Sequence, residues 1–228
     1  MRYDYIMPGR KFPIVTGEIY HVFNRGIDRR PTFTTKLEFQ RAIQTLNFYK
    51  SQRPPISLSK FLRLETSKQT EVFDLMTKSK SLIEIFCYCF MPNHFHFLLK
   101  QIEDNGIAKF LSNLQNSYTR YFNISHERDG SLFLDQFKAV RIETGEQLIH
   151  VSRYIHLNPH TGYAVKTLGE LENYPWSSFP DYLQGNSTGV NIEFILNLFA
   201  GIHKYKKFVF DQADYQRRLK EIEHLVLE

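Results

Sequence analysis

The chain of 228 residues predicts an α+β fold, an antiparallel sheet with helices packed on it. Three observations lead there. Hydrophobic periodicity alternates between strand and helix in the order β-α-β-β-α-β-α. Two strongly apolar strand patterns stand on either side of a short turn, Met91-Pro-Asn93. Amphipathic stretches of helical length follow the first and third strands. The length suits one sizeable domain with extra elements.

The elements follow in order. Residues 18–25 alternate, are β-rich and stop at Gly26, which predicts a first strand. Thr34 or Thr35 caps a helix running to about Tyr49, with Leu37, Phe39, Ala42, Ile43, Leu46 and Phe48 as its apolar stripe. Residues 51–80 change character: Pro54-Pro55 and many Ser, Thr and Lys predict an inserted loop, with a helical piece around Phe61–Leu64. Residues 82–90 are the strongest strand, and the turn at 91–93 leads into another ending near Lys100. Asp104 or Asn105 starts a helix to about Phe122 that buries Ile107, Phe110, Leu111, Leu114 and Tyr118. A strand is expected over 132–142. Thr144-Gly-Glu-Gln147 signals a helix start, and that helix should end at Asn158 because Pro159 follows. Residues 174–178 read as an irregular packed segment, and two helices are expected near 191–200 and 204–225. A body of residues 1–180 with an extension over 181–228 summarises this organisation.

Composition excludes several classes. Hydrophobic residues make up 42% and charged residues 23%, as in an ordinary globular protein. No apolar run reaches membrane-spanning length, and residues 1–5 show no signal-peptide core. Cys87 and Cys89 lie two apart on a predicted strand, a poor geometry for a disulfide, so a reduced, cytoplasmic setting is expected. The net charge of +5 permits a polyanionic partner. Aromatics reach 15%; they first supply a core, and beyond that they offer stacking surfaces for unpaired bases.

The chemistry concentrates in two segments. In Met91-Pro-Asn-His-Phe-His-Phe-Leu98, a strand puts His94 and His96 on one face and Phe95 and Phe97 on the other. In Ser152-Arg-Tyr-Ile-His-Leu-Asn-Pro159, a helix makes Tyr154 and Asn158 neighbours one turn apart. Two imidazoles and an amide oxygen suit Mg²⁺ or Mn²⁺ bridging to a phosphate, whereas Zn²⁺ is more often held by further His or Cys. Tyr154 adds a phenol as an attacking group.

These residues carry a resemblance. Tyr20-His-Val-Phe-Asn-Arg-Gly26, Met91-Pro-Asn-His-Phe-His96, Tyr118-Thr-Arg-Tyr-Phe-Asn123, Leu132-Phe-Leu-Asp-Gln-Phe-Lys-Ala139 and Tyr154-Ile-His-Leu-Asn-Pro159 occur in family order. The chain thereby resembles the single-tyrosine branch of the HUH endonuclease superfamily, in particular the REP-associated tyrosine transposases. The resemblance implies a ferredoxin-like sheet with the histidines on a central strand. His94, His96 and Asn158 would be the metal ligands and Tyr154 the nucleophile. The substrate would be single-stranded DNA cut next to a hairpin through a 5′-phosphotyrosine, with Mg²⁺ or Mn²⁺ as cofactor. Arg120, Lys138 and Arg141 flank the site in sequence and are candidates for phosphate contacts, and Tyr88, Phe133 and Phe137 for base stacking. His156 and His160 match no catalytic position of the family. Relatives include monomers and dimers, so a homodimer stays open.

Blander readings stand beside these. Tyr118 and Tyr121 rival Tyr154 as nucleophile, but neither has a ligand one turn on, which favours structural roles. Asn158 before a proline can be a simple helix end. Two other functions compete: a domesticated hairpin-binding or repeat-processing protein, and a metal-dependent hydrolase in which water attacks.

Overall fold

A computed structural model describes residues 13–50, 54–78, 80–187 and 189–214. Four strands form one antiparallel sheet: β1 (Ile19–Arg25), β2 (Ile83–Met91), β3 (His94–Gln101) and β4 (Lys138–Arg141), in the order β2-β3-β1-β4. With α1 (Lys36–Tyr49) after β1 and α4 (Gly106–Ser125) after β3, this is the ferredoxin-like split βαβ arrangement. The expected fold class is borne out, and β3, which carries both histidines, is a central strand.

Strand alternation divides the sheet into two apolar layers. Phe95, Phe97 and Leu99 of β3 face α1 and α4, in a core with Phe39, Leu46, Ile107, Phe110, Leu114 and Tyr118. Leu98 faces the opposite way, into a second core with Cys87, Cys89, Met91 and Ile155 and Leu157 of α5 (Gly145–Thr161). Each fully buried Phe or Leu contributes about 1.5–3 kcal/mol, so the two layers together hold the histidine strand in register. A bulge between Ile85 and Cys87 resets the phase of β2, so that Cys89 pairs with His96 and Met91 with His94. Both cysteines are buried and unbridged, as expected.

Thr35, not Thr34, caps α1, and the Glu38 side chain closes a capping box. The same carboxylate accepts from His126 Nε2 at 2.6 Å just beyond α4, tying the two helices of that layer together.

Several expectations need correction. The strand expected over 132–142 is only Lys138–Arg141; residues 132–134 are tied irregularly to the end of β1, through Ile27 N to Leu132 O and Leu134 N to Arg25 O. Pro159 does not stop α5, which continues to Thr161. The proline forfeits one N–H, but Gly162 N still reaches Asn158 O, and Ala164 N closes on Pro159 O. The 51–80 insertion contains two helices, α2 (Leu58–Phe61) and α3 (Thr66–Thr77). The second was illegible because it buries only Met76 and leaves Phe73 and Leu75 exposed.

Beyond α5 lie α6 (Leu168–Glu172), α7 (Phe179–Gln184), α8 (Glu193–Leu196) and α9 (Ile202–Phe210). The helix expected at 191–200 is thus shorter; of the one expected at 204–225, α9 covers the part to Phe210, and residues 215–225 lie outside the described residues. Segment 174–178 is packed and irregular as expected, and it covers the β2 edge: Phe90 N donates to Trp176 O and Ser178 N to Tyr88 O. No helix among the described residues is long and apolar enough to cross a membrane.

Candidate active site and metal centre

The β2–β3 hairpin turns over Pro92 and Asn93. Its tip is anchored, because Pro92 O accepts from Thr32 N and Phe33 N while Asn93 O accepts from Gly26 N. His94 and His96 therefore leave a fixed turn on the α5 side of the sheet, their rings 5.1 Å apart and nearly perpendicular. Helix α5 lies over β2 and β3 and brings Asn158 and Tyr154 to them. Asn158 is 1% exposed and His96 6%, while Tyr154 stays 42% exposed. The Tyr154 ring meets His96 edge-on at 5.3 Å and His21 at 5.8 Å. The four residues singled out as ligands and nucleophile thus converge within one chain.

The donor chemistry fits a divalent ion. His94 Nδ1 lies 2.6 Å from Asn93 Oδ1, and Asn93 Nδ2 in turn donates to Arg29 O. Both His94 nitrogens face amide oxygens, which only accept; a proton on Nδ1, at the shorter contact, leaves Nε2 with a lone pair. That lone pair faces Asn158 Oδ1 at 3.2 Å, with Asn158 Nδ2 turned back to Tyr154 O at 3.4 Å. In that tautomer an imidazole nitrogen and an amide oxygen stand side by side as two donor atoms for one cation. Among the described residues no group of three or more His, Cys, Asp or Glu is placed to hold a metal.

His21 of β1 was missed as a functional residue. Its Nε2 lies 2.9 Å from His96 Nδ1 with the rings stacked, and burial pushes its imidazole down to about 4, so it is neutral near pH 7. The signal was present in the alternation of residues 20–26, which puts His21, Phe23 and Arg25 on the face of the histidines. Arg25 pairs directly with His94.

Two clefts flank His94. One, of about 240 Å³, is lined by Phe23, Asn24, Arg25, His96, Leu134 and Lys138 among others. The other, of about 490 Å³, runs past Arg25, Arg29, Asn93 and Tyr163. Of the basic candidates, Lys138 is at the site, its Nζ 5.9 Å over the Phe23 ring. Arg141 is not: it pairs with Tyr20 on the other face and binds Glu18 at 2.9 and 3.1 Å. Arg120 lies on the outer side of α4, in a separate depression with Asn123 and Arg128. Of the stacking candidates, Tyr88 and Phe133 are buried core residues, and Phe137 packs half-buried against the same core.

The rival residues are tied down structurally. Tyr118 is fully buried, donates to Thr32 O at 2.6 Å, and burial pushes its phenol well above the ordinary range. Tyr121 sits under the Arg41 guanidinium. His156 is bonded to Tyr205 Oη at 2.7 Å and Ser178 Oγ at 2.9 Å, and its burial pushes the imidazole down to about 3.

Fold and site together define a ferredoxin-like α+β protein with a His-hydrophobic-His strand and a tyrosine-bearing helix against it. Comparison with known proteins agrees with the resemblance read in the sequence. Residues 58–158, a segment that contains His94, His96, Tyr154 and Asn158, match the family model described as "Transposase IS200 like". Among solved structures, the chain is similar to a REP-associated tyrosine transposase bound to a REP hairpin, with a TM-score of 0.53 and 15% identity over 80% of this chain and 89% of that one. At that identity the likeness is one of fold. A comparison with curated proteins finds no match.

Proposed function

We propose that this chain is a transposase-type, metal-dependent endonuclease and strand transferase acting on single-stranded DNA beside a hairpin. The observation that carries the reading is the convergence of Tyr154, His94, His96 and Asn158 in one chain, with the tyrosine ring edge-on to His96. The hairpin is taken from the neighbour of the same fold, whose structure holds a REP hairpin.

In this mechanism the Tyr154 oxygen attacks the scissile phosphorus. A 5′-phosphotyrosine forms, the P–O3′ bond breaks, and the leaving strand departs as a 3′-hydroxyl. The bond energy is conserved, so another 3′-hydroxyl can reverse the step without ATP. A free phenol has a pKa of about 10 and is a weak nucleophile at neutral pH. His94, His96 and Asn158 would hold Mg²⁺ or Mn²⁺, which when bound polarises the phosphate and stabilises its developing charge. Lys138 and Arg25 beside the histidines suit backbone phosphates on either side of the scissile one. The exposure of Tyr154 leaves it accessible to a strand laid across the two clefts.

Among the described residues neither cleft is lined by Asp or Glu, which disfavours a hydrolase with a carboxylate activating water. Ligands and tyrosine from the same chain support action as a monomer. Residues 1–180 form the catalytic body in this reading. Within the extension, α9 braces the tyrosine helix, since Tyr205 bonds His156 of α5. Two buried, unbridged cysteines fit a reducing, cytoplasmic setting.

The test incubates the protein with labelled single-stranded hairpin DNA from repeats flanking its gene, with Mg²⁺ or Mn²⁺, beside Tyr154→Phe and His94→Ala. A slow-migrating covalent adduct on a denaturing gel in the wild type alone is expected. Cleavage that survives in Tyr154→Phe without an adduct would sink the nucleophile and favour the hydrolase. Binding without cleavage would favour the domesticated binder.

A further inference from the structure

We propose that His21 is a positioning residue for the metal centre: its Nε2 accepts the Nδ1–H of His96 and so leaves Nε2 of His96 as the ligand atom. This rests on the reading of His94, His96 and Asn158 as metal ligands. His21 lies outside the segment that matches the family model.

The geometry admits two proton arrangements between His21 Nε2 and His96 Nδ1, 2.9 Å apart. Between two neutral rings one proton is shared in the contact. If His21 donates, the proton of His96 must sit on its Nε2, and that atom cannot bind a metal. If His96 donates, its Nε2 carries a lone pair and His21 holds its own proton on Nδ1. A metal ion at His96 selects the second arrangement. An imidazole that ligates a metal needs a partner on its other nitrogen to set tautomer and ring orientation.

The two candidate ligands are held by unlike partners. Asn93 Oδ1 can only accept, and its 2.6 Å contact, shorter than the 3.2 Å contact of Nε2 with Asn158 Oδ1, favours the proton on His94 Nδ1. His21 can donate or accept, so His96 can exchange between a metal-competent and an incompetent tautomer without any heavy atom moving. The ring of His21 is itself fixed for this, packed 4.9 Å from Phe23 and stacked on His96 at 5.1 Å, with Tyr154 edge-on to it. Register explains the contact: Phe23 pairs with His96 and His21 with Leu98, so His21 is the diagonal neighbour of His96 on one sheet face.

The test measures Mn²⁺ affinity by electron paramagnetic resonance of the free ion, without DNA, for wild type, His21→Phe, His21→Gln and His94→Ala. His21→Phe keeps the ring but removes the acceptor, and should weaken binding about 10- to 100-fold. His21→Gln offers an amide oxygen at a similar reach and should bind close to wild type. Phe and Gln variants that bind alike, both tightly or both weakly, would overturn the proposal. Should His21→Phe fail to fold, ¹⁵N NMR of the Mg²⁺-loaded wild type decides: a protonated His96 Nδ1 is expected, and a bare Nδ1 overturns it. Wild-type binding no tighter than that of His94→Ala would refute the metal reading itself, and the role of His21 with it. Tight wild-type binding with an unaffected His21→Phe refutes the positioning role alone.

Discussion

Two glycines open the helices on either side of the sheet, and they should answer the same substitution with opposite signs. Gly106 is the first residue of α4 and Gly145 the first of α5, and neither has a positive φ. A Cβ on Gly106 would clash with the Leu82 carbonyl oxygen, and that oxygen is backbone. It is also held in place, accepting from Ile102 N at 3.1 Å and Glu103 N at 3.3 Å. Relieving the clash means moving the start of α4 or distorting both hydrogen bonds. Overpacking costs about 1–3 kcal/mol, and each weakened hydrogen bond about 1 kcal/mol, so Gly106→Ala should lose roughly 3–5 kcal/mol. Around Gly145 nothing lies within 4 Å of the added carbon. There alanine restricts the unfolded chain at no steric cost, and Gly145→Ala should gain about 0.4–1 kcal/mol. Urea unfolding of both variants beside wild type reads these differences directly. A neutral Gly106→Ala would refute the close approach of α4 to the end of β2, and with it the packing that supports the histidine strand from below.

Other consequences can be checked with equally simple measurements. Tyr118→Phe should cost about 1 kcal/mol by leaving the Thr32 carbonyl unpaired, yet retain the covalent DNA adduct; loss of the adduct with the fold intact would revive Tyr118 as nucleophile. His156 must be neutral to fold, since burial lowers it from 6.5 to about 3. Its contribution is therefore complete above pH 6.5 and lost as pH falls toward 3, about 2 kcal/mol by pH 5. Stability measured at pH 8 and pH 5 should converge by that amount in His156→Gln, and an unchanged pH dependence in the variant would contradict the assignment. Lys138→Ala should weaken single-stranded DNA binding and lower the salt slope by about 1. Arg141→Ala, already engaged by Glu18, should change the slope less; the reverse order would move the DNA path to the other face.

The sequence by itself determined the parts whose information is local. Period-two alternation separated His94 and His96 from Phe95 and Phe97, helical spacing joined Tyr154 to Asn158, and Thr35 with Glu38 marked the start of α1. These hold because a strand or a helix imposes its side-chain directions whatever surrounds it. The tertiary structure alone decided what depends on residues distant in sequence. Strand 132–142 shrank because residues 132–134 are bound to the end of β1, and α5 ran past Pro159 because later residues closed on its last carbonyls. Arg141 is equally basic beside Lys138 in the sequence, but three residues along a strand is an odd step, and the pleat sends it to the face opposite the histidines. His21 stood in a quoted motif but was given no role, because its partner, His96, is 75 residues away. Only the pairing of β1 with β3 brings the two rings into contact, and pairing across such a separation is set by how both sheet faces bury their apolar residues, a condition no local pattern encodes.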